Sequence, residues 1–259
     1  MAITDKEKGV WGLDQVYNKI NQGSIWQYSS NVYALMAFGR NTAGQLGQNN
    51  RTYYSSPVQI PGTTWNTLWR SGGFEYGDVS MATKTDGTLW AWGYNAQGQL
   101  GTNNTTTYSS PVQVGGDSTW SHGTQGYDIV LSIKTDGTLW GWGEQGGGGL
   151  GINDRTTYSS PKQVGGGTDW SKVAAGAASY GIKTDGTMYS WGGNANGALG
   201  QNAPPSSARS SPVQIPGTTW ASVGSSAYAA AAIKTDGTMW TFGRNTEGEL
   251  GLNNRTYYS

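Results

Sequence analysis

Cysteine is absent from the 259 residues. That excludes disulfide staples, thiolate nucleophiles and cysteine-ligated zinc. Histidine is nearly absent. His122, the one copy, lies in Trp-Ser-His-Gly-Thr beside a turn and reads as an exposed loop residue. A Ser–His–acid triad would have to use it, and no other residue supports one. Charge is scarce: 12% of residues, with Lys+Arg 16 against Asp+Glu 16, so there is no basic footprint for nucleic acid. No apolar run is long enough to cross a bilayer, so no membrane insertion is expected. The opening Met-Ala-Ile-Thr-Asp-Lys-Glu-Lys-Gly mixes charges of both signs without an apolar core and is not a secretory signal, which points to synthesis and folding in a cytosol.

What the chain has in quantity is glycine (42), tyrosine (15) and tryptophan (13). Apolar burial is therefore concentrated in a few large rings, and so many aromatics argue against disorder. A Gly that ends a strand recurs at Gly39, Gly93, Gly143, Gly192 and Gly243, in steps of 54, 50, 49 and 51. Each is followed by a Gly-x-Leu-Gly element whose Leu (Leu46, Leu100, Leu150, Leu199, Leu250) plugs the loop onto a core. A polar loop then leads to Ser-Ser-Pro and a short strand, with Pro57, Pro111, Pro161 and Pro212 suited to an edge. A Gly-rich turn leads to Trp65, Trp120, Trp170 and Trp220, each opening a further short strand. One period thus supplies four short antiparallel strands, the content of one propeller blade.

The hairpin reads best from Ile129 to Gly143. Asp136-Gly137 is taken as the centre of a two-residue type I′ turn. In that register Ile133 faces Trp140 and Leu131 faces Trp142, so one face carries Leu131, Ile133, Trp140 and Trp142, and the other Ser132 and Gly141. The same split recurs around Asp86-Gly87, Asp185-Gly186 and Asp236-Gly237. A bulky face that stacks on the small face of a copy makes radial blades. The expected fold is all-β: a β-propeller of about five repeat units over residues 25–259, preceded by an arm at 1–24. The first unit has no Asp-Gly turn, and Ser29-Ser30-Asn31 is the expected substitute. Residues 38–55 and 242–259 differ at three positions, Ala43/Glu247, Gln45/Glu249 and Gln48/Leu252. Two arrangements fit this: a ring closed by pairing of the N- and C-terminal segments, or an incomplete ring.

The pattern Asp-Gly-Thr-Leu-Trp-x-Trp-Gly-x-Asn-x-x-Gly-Gln-Leu-Gly at Asp86 to Gly101 resembles the repeat of the regulator of chromosome condensation family, in phase over roughly residues 30–259. The resemblance implies a β-propeller. The founding member has seven blades, so five hairpins and four Ser-Pro strands depart from it. The family's nucleotide-exchange and chromatin activities rest on charged loops and a basic tail with no counterpart here. Other members are protein-binding modules, including an inhibitor of β-lactamases. The arm's Gly-Val-Trp-x-Leu-x-x-Val-Tyr, Gly9 to Tyr17, is similar to the opening of tailed-phage structural proteins that carry such repeats.

The expected function is therefore a non-enzymatic virion structural protein of a tailed phage, in tail, fibre or capsid surface. It would be made in the host cytoplasm and use the propeller to contact other virion proteins, a host-surface glycan or a host protein. The alternative is a soluble protein-binding propeller acting on a cellular protein, inhibitor-like or exchange-factor-like. The candidate partner-binding residues are Trp11 and Tyr17 in the arm and Tyr53, Tyr54, Tyr108 and Tyr158 in repeated polar loops. Tyrosine offers amphipathic contact area at low entropic cost, although recurrence at fixed phase equally fits packing on the next blade. The Asp of each Thr-Asp-Gly reads as a turn residue rather than a calcium ligand, having no acidic neighbour. Gly146 to Gly149 lacks the Lys-Ser/Thr of a phosphate loop, so no cofactor is expected. Carboxylate-only glycoside chemistry is the one enzymatic reading left, and it requires two acids converging at the axis.

Overall fold

The computed structural model describes residues 34–71, 78–144, 146–176, 178–204, 207–226 and 228–259. The arm at 1–24, with Trp11 and Tyr17, and the substitute turn at Ser29–Asn31 lie outside the described residues. The chain divides after Tyr33, and residues 34–259 form one unit of strands with, among the described residues, a single short 3-10 turn at Gly146–Gly148.

The strands group into five blades. Blade 1 pairs β1 (Met36–Gly39) with β2 (Tyr54–Gln59). Blade 2 begins with β3 (Trp65–Leu68). A short β4 (Arg70–Ser71) follows, then β5 (Val79–Lys84), β6 (Leu89–Gly93) and β7 (Tyr108–Gln113), giving the order β3-β5-β6-β7. Blade 3 holds β8 (Trp120–Gly126), β9 (Ile129–Lys134), β10 (Leu139–Gly143) and β11 (Tyr158–Gln163), and β4 pairs in parallel with β8. Blade 4 holds β12 (Trp170–Ala175), β13 (Ala178–Lys183), β14 (Met188–Gly192) and β15 (Arg209–Ile215). Blade 5 holds β16 (Trp220–Ser225), β17 (Ala229–Lys234) and β18 (Met239–Gly243), with Tyr258 bridging Gly243 in the place of a fourth strand. Each Ser-Ser-Pro segment forms the edge strand, and the ladder slips where Pro cannot donate, as between Gly141 and Gly143.

The hairpin register differs from the expectation by one residue. Leu139 pairs with Ile133, Trp140 with Ser132 and Trp142 with Val130. The loop is three residues long: Gly137 N–H donates to the Lys134 carbonyl, and Lys134 N–H to the Thr138 carbonyl. Gly137 alone in the turn has positive φ (77°), so this is a type I turn closed by a glycine bulge rather than a type I′ turn. One further residue in the loop moves the whole first strand to the opposite face.

The bulky-into-small scheme is corrected accordingly. In blade 3, Ile129, Leu131, Ile133, Leu139 and Gly141 share one face; Val130, Ser132, Trp140 and Trp142 share the other. Blades 2 to 5 thus each have an aliphatic face and an aromatic face carrying indoles. The aliphatic face of one blade receives the aromatic face of the next. Leu131, Ile133, Leu139 and Leu150 meet Trp170 and Trp191, and Met81, Leu89, Leu100 and Val114 meet Trp120 and Trp142. Tyr180, Ile182, Met188 and Leu199 meet Trp220 and Phe242 in the same way. The small first-strand residues make room on the indole face itself: a Cβ on Gly181 would stand 2.6 Å from Trp170.

The first strands of four blades converge on a cavity of about 400 Å³, lined by Thr67, His122, Thr124, Lys172, Val173 and Val223 among others. His122 is therefore half-buried in β8, not in an exposed loop.

Candidate functional site

In four of the five blades the loop after the hairpin is organised by one buried asparagine, Asn41, Asn95, Asn194 or Asn245. In blade 2, Asn95 Oδ1 accepts from Leu100 N–H (2.9 Å), and its Nδ2 donates to the carbonyls of Asn104 (3.0 Å) and Thr106 (2.9 Å). Asn41 and Asn245 repeat this pattern, and Asn194 does so across a longer loop. A fully buried amide with its hydrogen-bonding capacity met holds the loop in one conformation. The Leu it fixes is buried in all four of these blades, and Leu150 of blade 3 is buried as well, as expected of a plug.

A second polar residue shapes the tip. Asn104 Oδ1 accepts from Thr106 N–H (2.8 Å) while its Nδ2 donates to the Tyr108 hydroxyl (3.2 Å). Asn50 does the same with Tyr54 and Asn254 with Tyr258. In blade 3 the residue is Asp154, and the Tyr158 hydroxyl donates to it (2.9 Å). That hydrogen bond to a carboxylate raises the pKa of the Tyr158 hydroxyl. Three of these tips then bond the edge strand of the next blade: Asn49, Asn103 and Asn153 N–H donate to the carbonyls of Ser109, Ser159 and Ser210, all at 2.7 Å. The loops therefore tile one rim of the molecule.

Among the predicted site residues, Tyr54, Tyr108 and Tyr158 spend their hydroxyls inside their own loops, whereas Tyr53 is 59% exposed. Sequence reasoning passed over their neighbours. Arg51, Arg155 and Arg255 occupy the same phase in three loops and are exposed, and none forms an ion pair among the described residues. The signal was present as a recurring Asn-Arg-Thr or Asp-Arg-Thr. In blade 4, Arg209 takes the place of the rim Tyr opposite Gly192.

The opposite edge carries the Thr-Asp-Gly turns. Asp136 Oδ1 accepts from Thr138 N–H (3.0 Å) and its hydroxyl (2.7 Å), and Asp86, Asp185 and Asp236 repeat this. The Thr hydroxyl bond is the first cause that lowers each carboxyl's pKa. Above the turn a lysine lies over two rings: Lys134 Nζ is 3.8 Å from the Trp140 centroid and 4.7 Å from Trp120. The described lining of the axial cavity contains no carboxylate, so the two-acid arrangement is not found there.

A model of the regulator of chromosome condensation (RCC1) repeat matches residues 86–132, 136–179 and 185–233, more than half of the chain. The chain belongs to this repeat family. Among RCC1-repeat proteins it is similar to the ultraviolet-B receptor UVR8 of Arabidopsis thaliana, 32% identical over 93 residues, covering 34% of this chain and 20% of the receptor. The crystal structure of human WBSCR16 superposes with a TM-score of 0.73 at 23% identity, covering 87% of this chain and 61% of that one. Yeast RCC1 (Prp20), in its complex with Kap60, gives 0.69 at 20% identity, covering 82% of this chain and 52% of that one. This RCC1-repeat chain therefore spans less than two thirds of each of these relatives. At such identities the solved structures establish the propeller fold alone.

Proposed function

We propose that this RCC1-repeat chain is a non-enzymatic protein-binding propeller whose loop rim docks on a partner surface that presents carboxylates. The observation that carries this reading is the placement of Arg51, Arg155 and Arg255 at one phase of three ordered loops, two of them locked by buried Asn41 and Asn245 and the third shaped at its tip by Asp154. Arginine and tyrosine are enriched among interface anchors, and a preorganised scaffold spares the backbone part of the ordering cost on binding. Yeast RCC1 (Prp20), a relative of the same fold, has been solved bound to another protein, Kap60.

The finer reading is a structural component of a tailed-phage particle, made in the host cytoplasm and carried on the virion. The similarity of Gly9–Tyr17 to phage structural proteins supports it. The deciding experiment is immunoblotting of purified intact particles. Recovery with particles, lost when residues 1–24 are deleted, supports the virion role. Recovery from cell extract with one stoichiometric cellular protein would replace it by the soluble-module reading. In either setting, reversing Arg51, Arg155 and Arg255 to Glu should abolish partner capture without changing the melting temperature; retained capture removes the rim from the binding surface.

A further inference from the structure

The rim edge also carries the turns that join the first two strands of blades 3, 4 and 5, as the hydrogen bond from Glu144 N–H to the Asp128 carbonyl (2.9 Å) shows in blade 3. Each turn abuts the next. A Cβ on Gly126 would stand 2.3 Å from the Ala175 backbone, and one on Gly176 would stand 2.2 Å from the Ser226 carbonyl oxygen. The middle turn is the shortest: Trp170 pairs with Lys183 across one residue fewer than separates Trp120 from Lys134 or Trp220 from Lys234. Tyrosine stands in the outer two. Tyr127 belongs to blade 3 and Tyr228 to blade 5, and their hydroxyls are hydrogen-bonded to each other. That bond spans blade 4, whose turn carries no tyrosine, and links two blades that share no strand pairing.

Both tyrosines are held in place. Gln125 Nε2 donates to the Tyr127 carbonyl (3.3 Å). Tyr127 has a φ of 50°, in the left-handed region that bulky side chains rarely adopt. Such an outlier persists only where the surroundings hold it. Arg244 N–H donates to the Tyr228 carbonyl (2.9 Å), and its guanidinium lies 5.4 Å from the Tyr228 ring centroid. Tyr228 is still 41% exposed, so a reagent in solution reaches the pair. Burial and the bond to Tyr228 push the Tyr127 pKa up to about 12, so this hydroxyl keeps its proton at neutral pH.

The pair stands apart from the other bonded tyrosines. Tyr54, Tyr108, Tyr158, Tyr180 and Tyr258 have hydroxyls bonded to asparagine, aspartate or a backbone carbonyl. The chain has no cysteine, so its covalent staple cannot be a disulfide. Two phenols in contact offer oxidation another bond to make.

We propose that Tyr127 and Tyr228 form an oxidative modification site, at which a haem-peroxidase-class oxidant using hydrogen peroxide couples the two rings and ties blade 3 to blade 5. Each phenol loses one electron and one proton and becomes a phenoxyl radical, whose unpaired electron is shared with the carbons ortho to the oxygen. The radicals combine through a carbon–carbon bond between one ortho carbon of each ring. The hydrogens on those two carbons then move to the oxygens and restore both phenols. The two electrons and two protons removed reduce one hydrogen peroxide to two waters. This site goes beyond the rim reading and uses none of its three arginines.

Oxidation of the full chain at high dilution, with a haem peroxidase and hydrogen peroxide, tests it. The monomer fraction is digested and read by mass spectrometry. A linked peptide pair joining Tyr127 to Tyr228, two hydrogens lighter than the separate peptides, is the expected main product, accompanied by dityrosine fluorescence. Tyr127→Phe and Tyr228→Phe, each folded by circular dichroism, lose both the linked pair and the fluorescence of the monomer. The same treatment in urea loses the linked pair, because the contact depends on the fold. A folded wild type that yields no such link overturns the proposal. So does a link that forms to the same extent in urea, or full dityrosine fluorescence from the monomer of either variant.

Discussion

Met188 and Met239 sit at the same phase of adjacent blades, each paired with an isoleucine across its hairpin, yet one is fully buried and the other is 65% exposed. Blades 4 and 5 have nearly the same local structure. Their hairpins share the three-residue loop, the same Asp–Thr hydrogen bonds and the same strand pairing. What differs is the neighbour. A repeat of this kind encodes faces, and the energy of a face is realised only when the next repeat covers it. The interior contacts therefore carry the stability of the unit.

The sharpest way to break this comparison is to empty the same phase inside and at the end. Trp142→Ala should cost about 3–5 kcal/mol, as for other large-to-small changes in a core. Phe38→Ala should stay within about 0.5 kcal/mol in monomeric protein, as at exposed sites. Urea denaturation at low concentration reads both; equal costs would mean that blade 1's face is buried.

Glycine in the turn sharpens it further. Gly137 and Gly237 have φ of 77° and 85°, so valine strains both backbones by about 1–3 kcal/mol. A Cβ on Gly137 also runs into the Thr168 carbonyl of the next blade, whereas one on Gly237 meets nothing. Gly137→Val should therefore be worse than Gly237→Val by a further ~1–3 kcal/mol of overpacking. Equal midpoints in thermal melts would show that the turn does not touch its neighbour.

A smaller effect is expected at the contact where phenylalanine replaces tryptophan. With no indole N–H from Phe242, the Ala198 carbonyl accepts instead from the Tyr180 hydroxyl, on its own blade. Burial raises the Tyr180 pKa, so the group stays a donor. Tyr180→Phe should cost about 1–2 kcal/mol by leaving that carbonyl unpaired. A neutral substitution would mean the carbonyl finds another donor.

The smallest effect is pH-dependent. Burial lowers the His122 pKa below 6.5, opposed in part by a backbone hydrogen bond at Ser171. The unfolded chain then takes up the proton first, so stability is full above pH ~6.5 and falls as pH drops from there towards the folded-state pKa. His122→Asn should flatten that segment of the stability profile. An unchanged slope would place the titration elsewhere.

Much of this was legible beforehand. The strand-ending glycines, the Leu plugs and the edge prolines follow from spacing and from what glycine and proline allow, and the strands fall where the periodicity put them. The Trp-Gly-Trp alternation placed both indoles on one face correctly, because alternation within a strand does not depend on its partner. The partner strand was assigned to the wrong face because Thr-Asp-Gly supports two loop lengths, and the three-residue one is held within the blade, where Thr135 N–H donates to the Thr119 carbonyl as Thr235 N–H does to Thr219. His122 was misplaced for a similar reason, since a short polar strand next to the axis has the composition of a loop. At the rim, the exposed tyrosines drew attention from the Asn-Arg phase that carries the charge.

Local chemistry along the chain was enough to specify the repeat, its turns and the alternation of large and small side chains, because those depend on bonds and sterics within a few residues. Which face each hairpin turns to which neighbour, and which faces find no neighbour, was settled only in three dimensions. Burial is a property of two surfaces meeting, and in the identical Phe-Gly-Arg-Asn-Thr at 38–42 and 242–246 the phenylalanine is exposed in the first and buried in the second.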